Sequence, residues 1–248
     1  MNHAALQGHL DIVRWLHASR TEGCTPRAID FAAANGHLRI VQWLHESRTE
    51  RCTAHTMDGA AERGYLEVVK WLHANRTEGC TVRTMNAAAK DDHLEIVRFL
   101  HENRSEGCTT NAMDGAAEEG HLDVVKFLHE NRTEGCTVNA IDLAAGSGCL
   151  EVVRWFHENL NEGCTTEAMR CAVQNGDFEL VLFLHANRNE GCSPGAIDDI
   201  DTCLEYPEMV QWLHKNYPGA VNIDSVMEVD VPCIAEVVSH VLELECAA

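Results

Sequence analysis

The sequence predicts an all-α fold built from repeated pairs of helices. A fixed period is the first observation, because cysteines recur every 28 residues at Cys24, Cys52, Cys80, Cys108, Cys136, Cys164 and Cys192. The second is that apolar residues within one repeat follow helical spacing twice, first at Met113 and Ala116 and again at Leu122 and Val125. Finally, no segment alternates apolar and polar residues as a half-buried strand does. Each repeat is therefore expected to contain two helices.

The residues between the helical segments predict where each helix begins and ends. Thr109 precedes the first segment, and its hydroxyl can accept a hydrogen bond from an unpaired amide of the first turn. Gly120 separates the two segments. Gly135 closes the repeat and permits the positive φ that a tight return requires. The repeat is predicted to run as helix, short turn, helix, longer turn.

The segment AAERGYLEVVKWL at residues 60–72 resembles the ankyrin repeat, and related segments occur in the first seven repeats and, more loosely, to about residue 217. The compact form with RTEGC also resembles the short ankyrin arrays of oomycetes. The resemblance implies a helix-turn-helix solenoid that binds other proteins. The usual ankyrin repeat has about 33 residues, and the residues missing here fall where the family carries its β-hairpin finger. We therefore expect shortened or absent fingers, and binding that depends mainly on the first helices.

The array is expected to cover residues 1–220, with about eight repeats. Its first repeat is expected to lack most of its first helix, because Met1 aligns with Met57. Residues 221–248 depart from the repeat pattern, and an amphipathic segment begins at Pro232. This segment is predicted to form a capping half-repeat.

Charge and composition exclude several classes of function. The chain has 39 acidic and 19 basic residues, a net charge of −20, which disfavours nucleic acid and acidic lipid surfaces as partners. It has neither an apolar run of about 18 residues nor an amino-terminal signal pattern. The cysteine pattern favours a reducing, cytoplasmic location. Residues 193–248 contain eleven acidic residues and a single basic one, Lys215.

The histidine and cysteine columns raise the question of a metal site. Structural zinc sites need about four converging ligands, usually from close sequence pairs, whereas each repeat offers one cysteine and one or two histidines far apart. No metal is therefore expected, and the histidine of the WLH segment, such as His73, is predicted to be half-buried and hydrogen-bonded to a neighbouring turn. Equivalent cysteines should remain free, because neighbouring helices lie about 8–10 Å apart and a disulfide needs α-carbons within about 7 Å. A pH- or metal-responsive regulator that uses these columns is the alternative function.

Other repeated polar residues are interpreted as structural. Asp30 and its equivalents are predicted to bond to loop amides between repeats. The run Arg132 to Glu134 is interpreted as a solvated turn. The sequence has no nucleophile elbow, phosphate-binding loop or distinctive carboxylate pair, so we expect a non-catalytic protein without a cofactor.

Variation among the repeats indicates where a partner binds. It is concentrated after the threonine, before the Ala-Ala pair and just after that pair, positions that share one face of the first helix. The predicted partner-binding residues are Arg27, Phe31, Asn35, His55, Glu62, Arg63, Arg83, Lys90, Asp91, Asn111, Glu118, Glu119, Asn139, Glu167, Gln174 and Asn175, together with Asp198, Asp199 and Asp201 in the acidic carboxy-terminal region. The expected partner is another protein with a basic or polar surface, bound by a monomer.

Overall fold

A computed structural model of the chain describes residues 1–19, 25–47, 53–197 and 206–221. Within these ranges it contains fifteen α-helices: α1 Asn2–Leu6, α2 Leu10–Ser19, α3 Arg27–Ala34, α4 Leu38–Ser47, α5 His55–Glu62, α6 Leu66–Asn75, α7 Val82–Lys90, α8 Leu94–Asn103, α9 Thr110–Glu118, α10 Leu122–Asn131, α11 Asn139–Gly146, α12 Leu150–Asn159, α13 Thr166–Gln174, α14 Phe178–Asn187 and α15 Pro207–Asn216. The same ranges contain no β-strand, only an isolated bridge between Ile197 and Val221. The predicted all-α repeat fold is confirmed.

The chain divides into two compact units, and the division falls between two repeats. The amino-terminal unit is Met1–Cys136 and contains α1 to α10. The carboxy-terminal unit is Thr137–Ala248 and contains α11 to α15. The predicted cap lies, apart from Val221, outside the described residues.

The helices begin and end as the sequence predicts. The hydroxyl of Thr109 accepts a hydrogen bond from the amide of Asn111 at 3.3 Å, and the equivalent threonines Thr81 and Thr165 cap their helices in the same way. Gly120 and Gly135 adopt positive φ angles of 79° and 69°. These turns reverse the chain after each helix, so that the two helices of a repeat pack side by side.

Small residues hold the first helices together, and larger residues separate the second helices. The Ala-Ala pairs, such as Ala60–Ala61 and Ala88–Ala89, are completely buried. The second helices contribute larger buried residues, such as Val69 and Leu72 in α6. In the amino-terminal unit, the first helices consequently approach one another more closely than the second helices do.

The connection between repeats is short, as the 28-residue period predicts. Only residues 104–109 separate α8 from α9, and they form no strand. The predicted loss of the β-hairpin finger is confirmed for the described residues. Where the connection between repeats is described, the exposed side of the first helices is therefore not flanked by a hairpin.

Candidate protein-binding site

In each unit taken by itself, the predicted binding residues of the described ranges lie on the first helices or directly after them, and most contribute to the exposed surface of these helices. We call this surface the helix-1 face. Thirteen are exposed, namely Arg27, Phe31, His55, Glu62, Arg63, Arg83, Asp91, Asn111, Glu119, Asn139, Glu167, Gln174 and Asn175, whereas Asn35, Lys90 and Glu118 are partly buried. Asp198, Asp199 and Asp201 lie outside the described residues. The placement agrees with the sequence pattern, and partner binding at these positions stays a prediction.

Some residues of this face already contact one another. Lys90 Nζ lies 2.5 Å from a Glu118 carboxylate oxygen and 3.6 Å from one of Glu119. The hydrogen bond to Glu118 is the main reason that the pKa of Lys90 is raised. In addition, Arg63 donates to the side-chain oxygen of Asn35 at 3.2 Å. Glu118 and Glu119 are therefore partly neutralised, which weakens the attraction for a basic partner that the sequence alone predicts there.

Beneath this face, an acidic or amide side chain links several of the first helices to the next repeat. Asp58 accepts hydrogen bonds from the amide of Thr81 at 3.1 Å and from its hydroxyl at 2.9 Å, and it also accepts from the buried hydroxyl of Thr84. Asn86 makes the same link to Thr109, with distances of 3.0 and 2.8 Å. We call these contacts the aspartate links. The predicted bond to a loop amide is confirmed for Asp58 and Asp142, whereas Asp30 accepts from the hydroxyl of Thr56 and Asp198 lies outside the described residues.

A second link joins the loops, and here the interpretation of Arg132–Glu134 as a solvated turn is wrong. Arg132 and Glu134 form an ion pair whose side chains are only 21% and 23% exposed. Glu134 also accepts from the backbone amide of Cys108 in the preceding repeat at 3.4 Å. Arg104 and Glu106 repeat the arrangement with the amide of Cys80. We call these contacts the arginine–glutamate links.

The arginine–glutamate links have clear electrostatic consequences. Hydrogen bonds from the arginines, together with backbone amides, lower the pKa of Glu106 and of Glu134 to about 2. Gly107 makes room for the link, because a Cβ there would lie 2.6 Å from Arg132 Nη2, and its φ is 72°. These carboxylates are therefore ionised, structural groups that hold one loop against the next.

The histidines of the WLH segments pack edge-on against aromatic rings of the following repeat. His45 meets Trp71 with ring centroids 5.2 Å apart, and His73 meets Phe99 at 5.4 Å. His45 Nδ1 also accepts from Arg76 Nη1 at 2.9 Å, the neighbouring-turn contact that was predicted. The rings of His45 and His73 are half-buried, so the predicted burial is confirmed. The predicted hydrogen bond is not found at His73 and His101, whose buried Nδ1 atoms have no hydrogen-bond partner in the described part of the chain. Their contact with the next repeat is the aromatic one.

The cysteines of the repeat column are weakly nucleophilic. Cys108 and Cys164 are buried, and burial is the main reason that their pKa values rise to about 11 and about 12. Because the thiolate is the reactive form, such thiols react slowly at neutral pH. Among the described residues, Cys80, Cys108, Cys164, Cys171 and Cys192 are free thiols.

The described residues were also compared with the requirements of a metal-responsive regulator, the alternative function, and of a membrane-spanning helix. In the part of the chain that the structure describes, no group of three or more His, Cys, Asp or Glu side chains could hold a metal ion. Over the same ranges, no helix combines the length and apolar character needed to cross a bilayer. Regulation by pH through the histidine column stays a prediction.

Comparison with known protein families shows which kind of repeat the helix pairs form. An ankyrin-repeat model of three copies matches residues 57–142, and one of many copies matches residues 1–45 and 141–185. Together they match more than half of the chain. The chain belongs to the ankyrin-repeat family. No curated protein matches it in sequence. Ankyrin repeats are protein-interaction modules, and neither matched model describes an enzyme.

The sequence does not predict an open groove that lies beside the helix-1 face. It has a volume of about 500 Å³ and lies between Arg27 and His55, with Thr25, Pro26 and Thr53 also in its lining. The two basic residues occupy the same position in consecutive repeats. The sequence shows that two basic residues share this position in consecutive repeats. It does not show that an open space lies between them, because that depends on how the two repeats pack.

Proposed function

We propose that the chain is a non-catalytic scaffold that holds a partner protein on its helix-1 face. The observation that carries the proposal is the contrast between two sets of positions. Positions buried between helices, such as the Ala-Ala pairs, hardly change from repeat to repeat, whereas the exposed positions of the first helices do. A constant framework with one variable surface suits a protein whose specificity lies on that surface.

The packing of the amino-terminal unit supports this choice of surface. Its first helices are separated by alanines, and its second helices are separated by larger side chains such as Trp43 and Trp71. A stack that is spaced more tightly along one edge curves towards that edge. We infer that the helix-1 face is concave within this unit, which increases the surface that a bound segment can contact.

We further propose a reducing intracellular location and a monomeric state. The free cysteines support the location, because disulfides persist mainly in oxidising compartments. The monomeric state is tested by light scattering of the purified chain.

A matched pair of triple variants tests the binding face. The first carries Asn111→Ser, Glu118→Ser and Glu119→Ser on α9, and the control carries Glu102→Ser, Asp123→Ser and Glu130→Ser on second helices. A partner is isolated with the intact chain, purified, and titrated against both variants. We expect the α9 variant to weaken binding at least tenfold while the control changes it less than about twofold. Equal losses in both variants would contradict the proposal.

The acidic carboxy-terminal region is proposed to steer a basic part of the partner. Exposed charges act over roughly 8 Å at physiological salt, so they affect mainly the association rate. Replacing Asp198, Asp199 and Asp201 with asparagine should slow association and flatten its salt dependence. Unchanged association kinetics at low salt would mean that these residues only keep the region polar.

A further inference from the structure

The amino-terminal part of the chain has the opposite charge balance to the remainder. Residues 1–90 contain eleven basic and nine acidic residues, a net charge of +2. Residues 91–248 contain eight basic and thirty acidic residues, a net charge of −22. The overall charge of −20 therefore conceals a region that can attract acidic ligands.

The exposed residue at the start of each first helix follows the same trend. In chain order, this position is occupied by Arg27, His55, Arg83, Asn111, Asn139 and Glu167. The first three are basic, the next two are neutral amides and the last is acidic. We call Arg27, His55 and Arg83 the basic row. All three belong to the amino-terminal unit and are exposed, and the His55 side chain is 71% exposed.

The nearby carboxylates are engaged in holding the repeats together. Asp30 accepts a hydrogen bond from Thr56, and Asp58 accepts from the Thr81 amide at 3.1 Å. Asp58 also lies 3.2 Å from His55 Nδ1 and so orients that ring. Among the described residues, no carboxylate forms an ion pair with the guanidinium of Arg27 or of Arg83. The two arginines are thus available to a ligand, unlike Arg104 and Arg132 in their links.

The groove of about 500 Å³ gives such a ligand a place to lie. It is bounded by Arg27 and His55, and the rest of its lining is Asn2, Thr25, Pro26, Asp30 and Thr53. The Asp30 carboxylate in this lining is the one that accepts from Thr56. It opens to solvent and connects the first two members of the basic row. A groove that runs from one repeat to the next suits an extended chain better than a compact ligand.

We propose that the basic row binds an extended acidic segment of the partner protein, with a carboxylate at about every third residue. Neighbouring helices pack about 8–10 Å apart, and an extended chain advances about 3.1–3.4 Å per residue. Three residues therefore span one repeat, so each carboxylate meets one member of the row. This inference rests on the proposed function, because it specifies the ligand of the helix-1 face.

The charge distribution favours a peptide over a nucleic acid. A nucleic acid is a continuous polyanion, and one long enough to extend past Arg83 meets the acidic region that begins at Asp91. A short acidic segment contacts the basic row alone. Arginine also suits this role, because its guanidinium can bind both oxygens of a carboxylate.

The experiment compares two synthetic peptides of identical composition in a titration followed by fluorescence anisotropy. One carries glutamate at every third position, and the other carries the same glutamates side by side. The full chain should bind the spaced peptide about tenfold more tightly at low salt. The double variant Arg27→Gln, Arg83→Gln should lose about five- to tenfold in affinity, as expected for two exposed ion pairs. Its matched control is Arg14→Gln, Arg39→Gln, which removes two exposed arginines from second helices and should change affinity less than twofold.

Circular dichroism and the urea midpoint establish that both variants remain folded. Equal binding of the two peptides, or equal losses in the two variants, would overturn the proposal in favour of general charge attraction. Binding of single-stranded oligothymidine as tight as that of the spaced peptide would also overturn it. A purified partner that needs the α9 residues but is not displaced by the spaced peptide would refute the acidic segment and leave the proposed function standing. A partner that does not need the α9 residues would refute the proposed function itself, whatever the peptides do.

Discussion

The amino-terminal and carboxy-terminal units contain the same helix pairs but fasten successive repeats differently. In the amino-terminal unit, Asn2, Asp58 and Asn86 each bond to the threonine that begins the next first helix. In the carboxy-terminal unit, Asp142 does so, but the next residue in this column is Arg170, which bonds to Glu167 and Gln174 instead. The helix pair is thus preserved where the link between repeats is not.

The arginine–glutamate links show the same contrast. In the amino-terminal unit, Arg104 and Arg132 pair with the glutamate two residues later. In the carboxy-terminal unit, Leu160 replaces the arginine. The helix pair therefore depends on apolar packing, whereas the stability of each junction depends on particular polar residues that can be lost.

The largest expected effect is at Asp58. Asp58→Ala leaves the hydroxyl of the 1%-exposed Thr84 without its acceptor and removes the bonds from the amide and hydroxyl of Thr81, although the amide keeps the Thr84 hydroxyl as an acceptor. The loss of these bonds should cost about 2–4 kcal/mol in total. Urea unfolding of the full chain should therefore show a clearly lower midpoint. Arg170→Ala, at the equivalent position of the other unit, should leave the midpoint nearly unchanged. If the two variants lower the urea midpoint by similar amounts, the two units do not differ in the contribution of this position to stability.

The aromatic contacts between second helices give the next effect. Trp71→Ala removes a ring that packs against His45 and should cost about 2–3 kcal/mol, in the lower range for large-to-small changes. Trp15 occupies the same repeat position but is 62% exposed, so Trp15→Ala should cost less than about 1 kcal/mol. Equal losses of unfolding free energy would show that the contact with the preceding histidine contributes nothing.

The arginine–glutamate link predicts a pH dependence. The folded pKa of Glu134 is about 2, below its ordinary value of 4.5, so its contribution is present above about pH 4.5 and is lost as the pH falls towards 2. Since the pair is partly exposed, we expect about 1–2 kcal/mol. Glu134→Gln should therefore lower stability at pH 7 and have a smaller effect at pH 3.

The matched control is Glu162→Gln, because Glu162 follows Leu160 and has no arginine two residues before it. Its effect at pH 7 should be near zero. Leu160→Arg should raise stability slightly by restoring the residue that the other repeats have. If Glu162→Gln destabilises the chain as much as Glu134→Gln does, the ion pair is not the source of the effect.

The smallest expected difference between the units is in the rate at which their buried cysteines are alkylated. Cys108 and Cys164 lie in different units, and both are buried thiols with raised pKa values. Both should be alkylated slowly at neutral pH, at rates that increase when urea unfolds the chain. Mass spectrometry of non-reduced protein should show no bridge between equivalent cysteines such as Cys80 and Cys108. A native bridge would contradict the stacking of the repeats.

The sequence predicts the helix pairs and their caps because these depend on short spacings within a repeat. It predicts the aspartate links, which span 23 residues, from the recurrence of a polar residue at one position of the first helix. It does not predict the arginine–glutamate links, because Glu134 bonds to an amide 26 residues earlier, and the exposure of a loop depends on its neighbour. The aromatic contact of each WLH histidine is missed for the same reason. A signal was present: the residue that faces His45, Trp71, remains tryptophan or phenylalanine at every equivalent position.

The central claim is that a partner protein binds the variable first helices and not the second helices. A photo-crosslinking amino acid can replace one exposed residue at a time, either Asn111 or Asn139 on the helix-1 face, or Asp123 or Glu151 on second helices. With a purified partner, we predict strong cross-links from Asn111 and Asn139 and weak ones from Asp123 and Glu151. Cross-links confined to Asp123 and Glu151 would contradict the claim and place the interaction on the opposite side of the repeats.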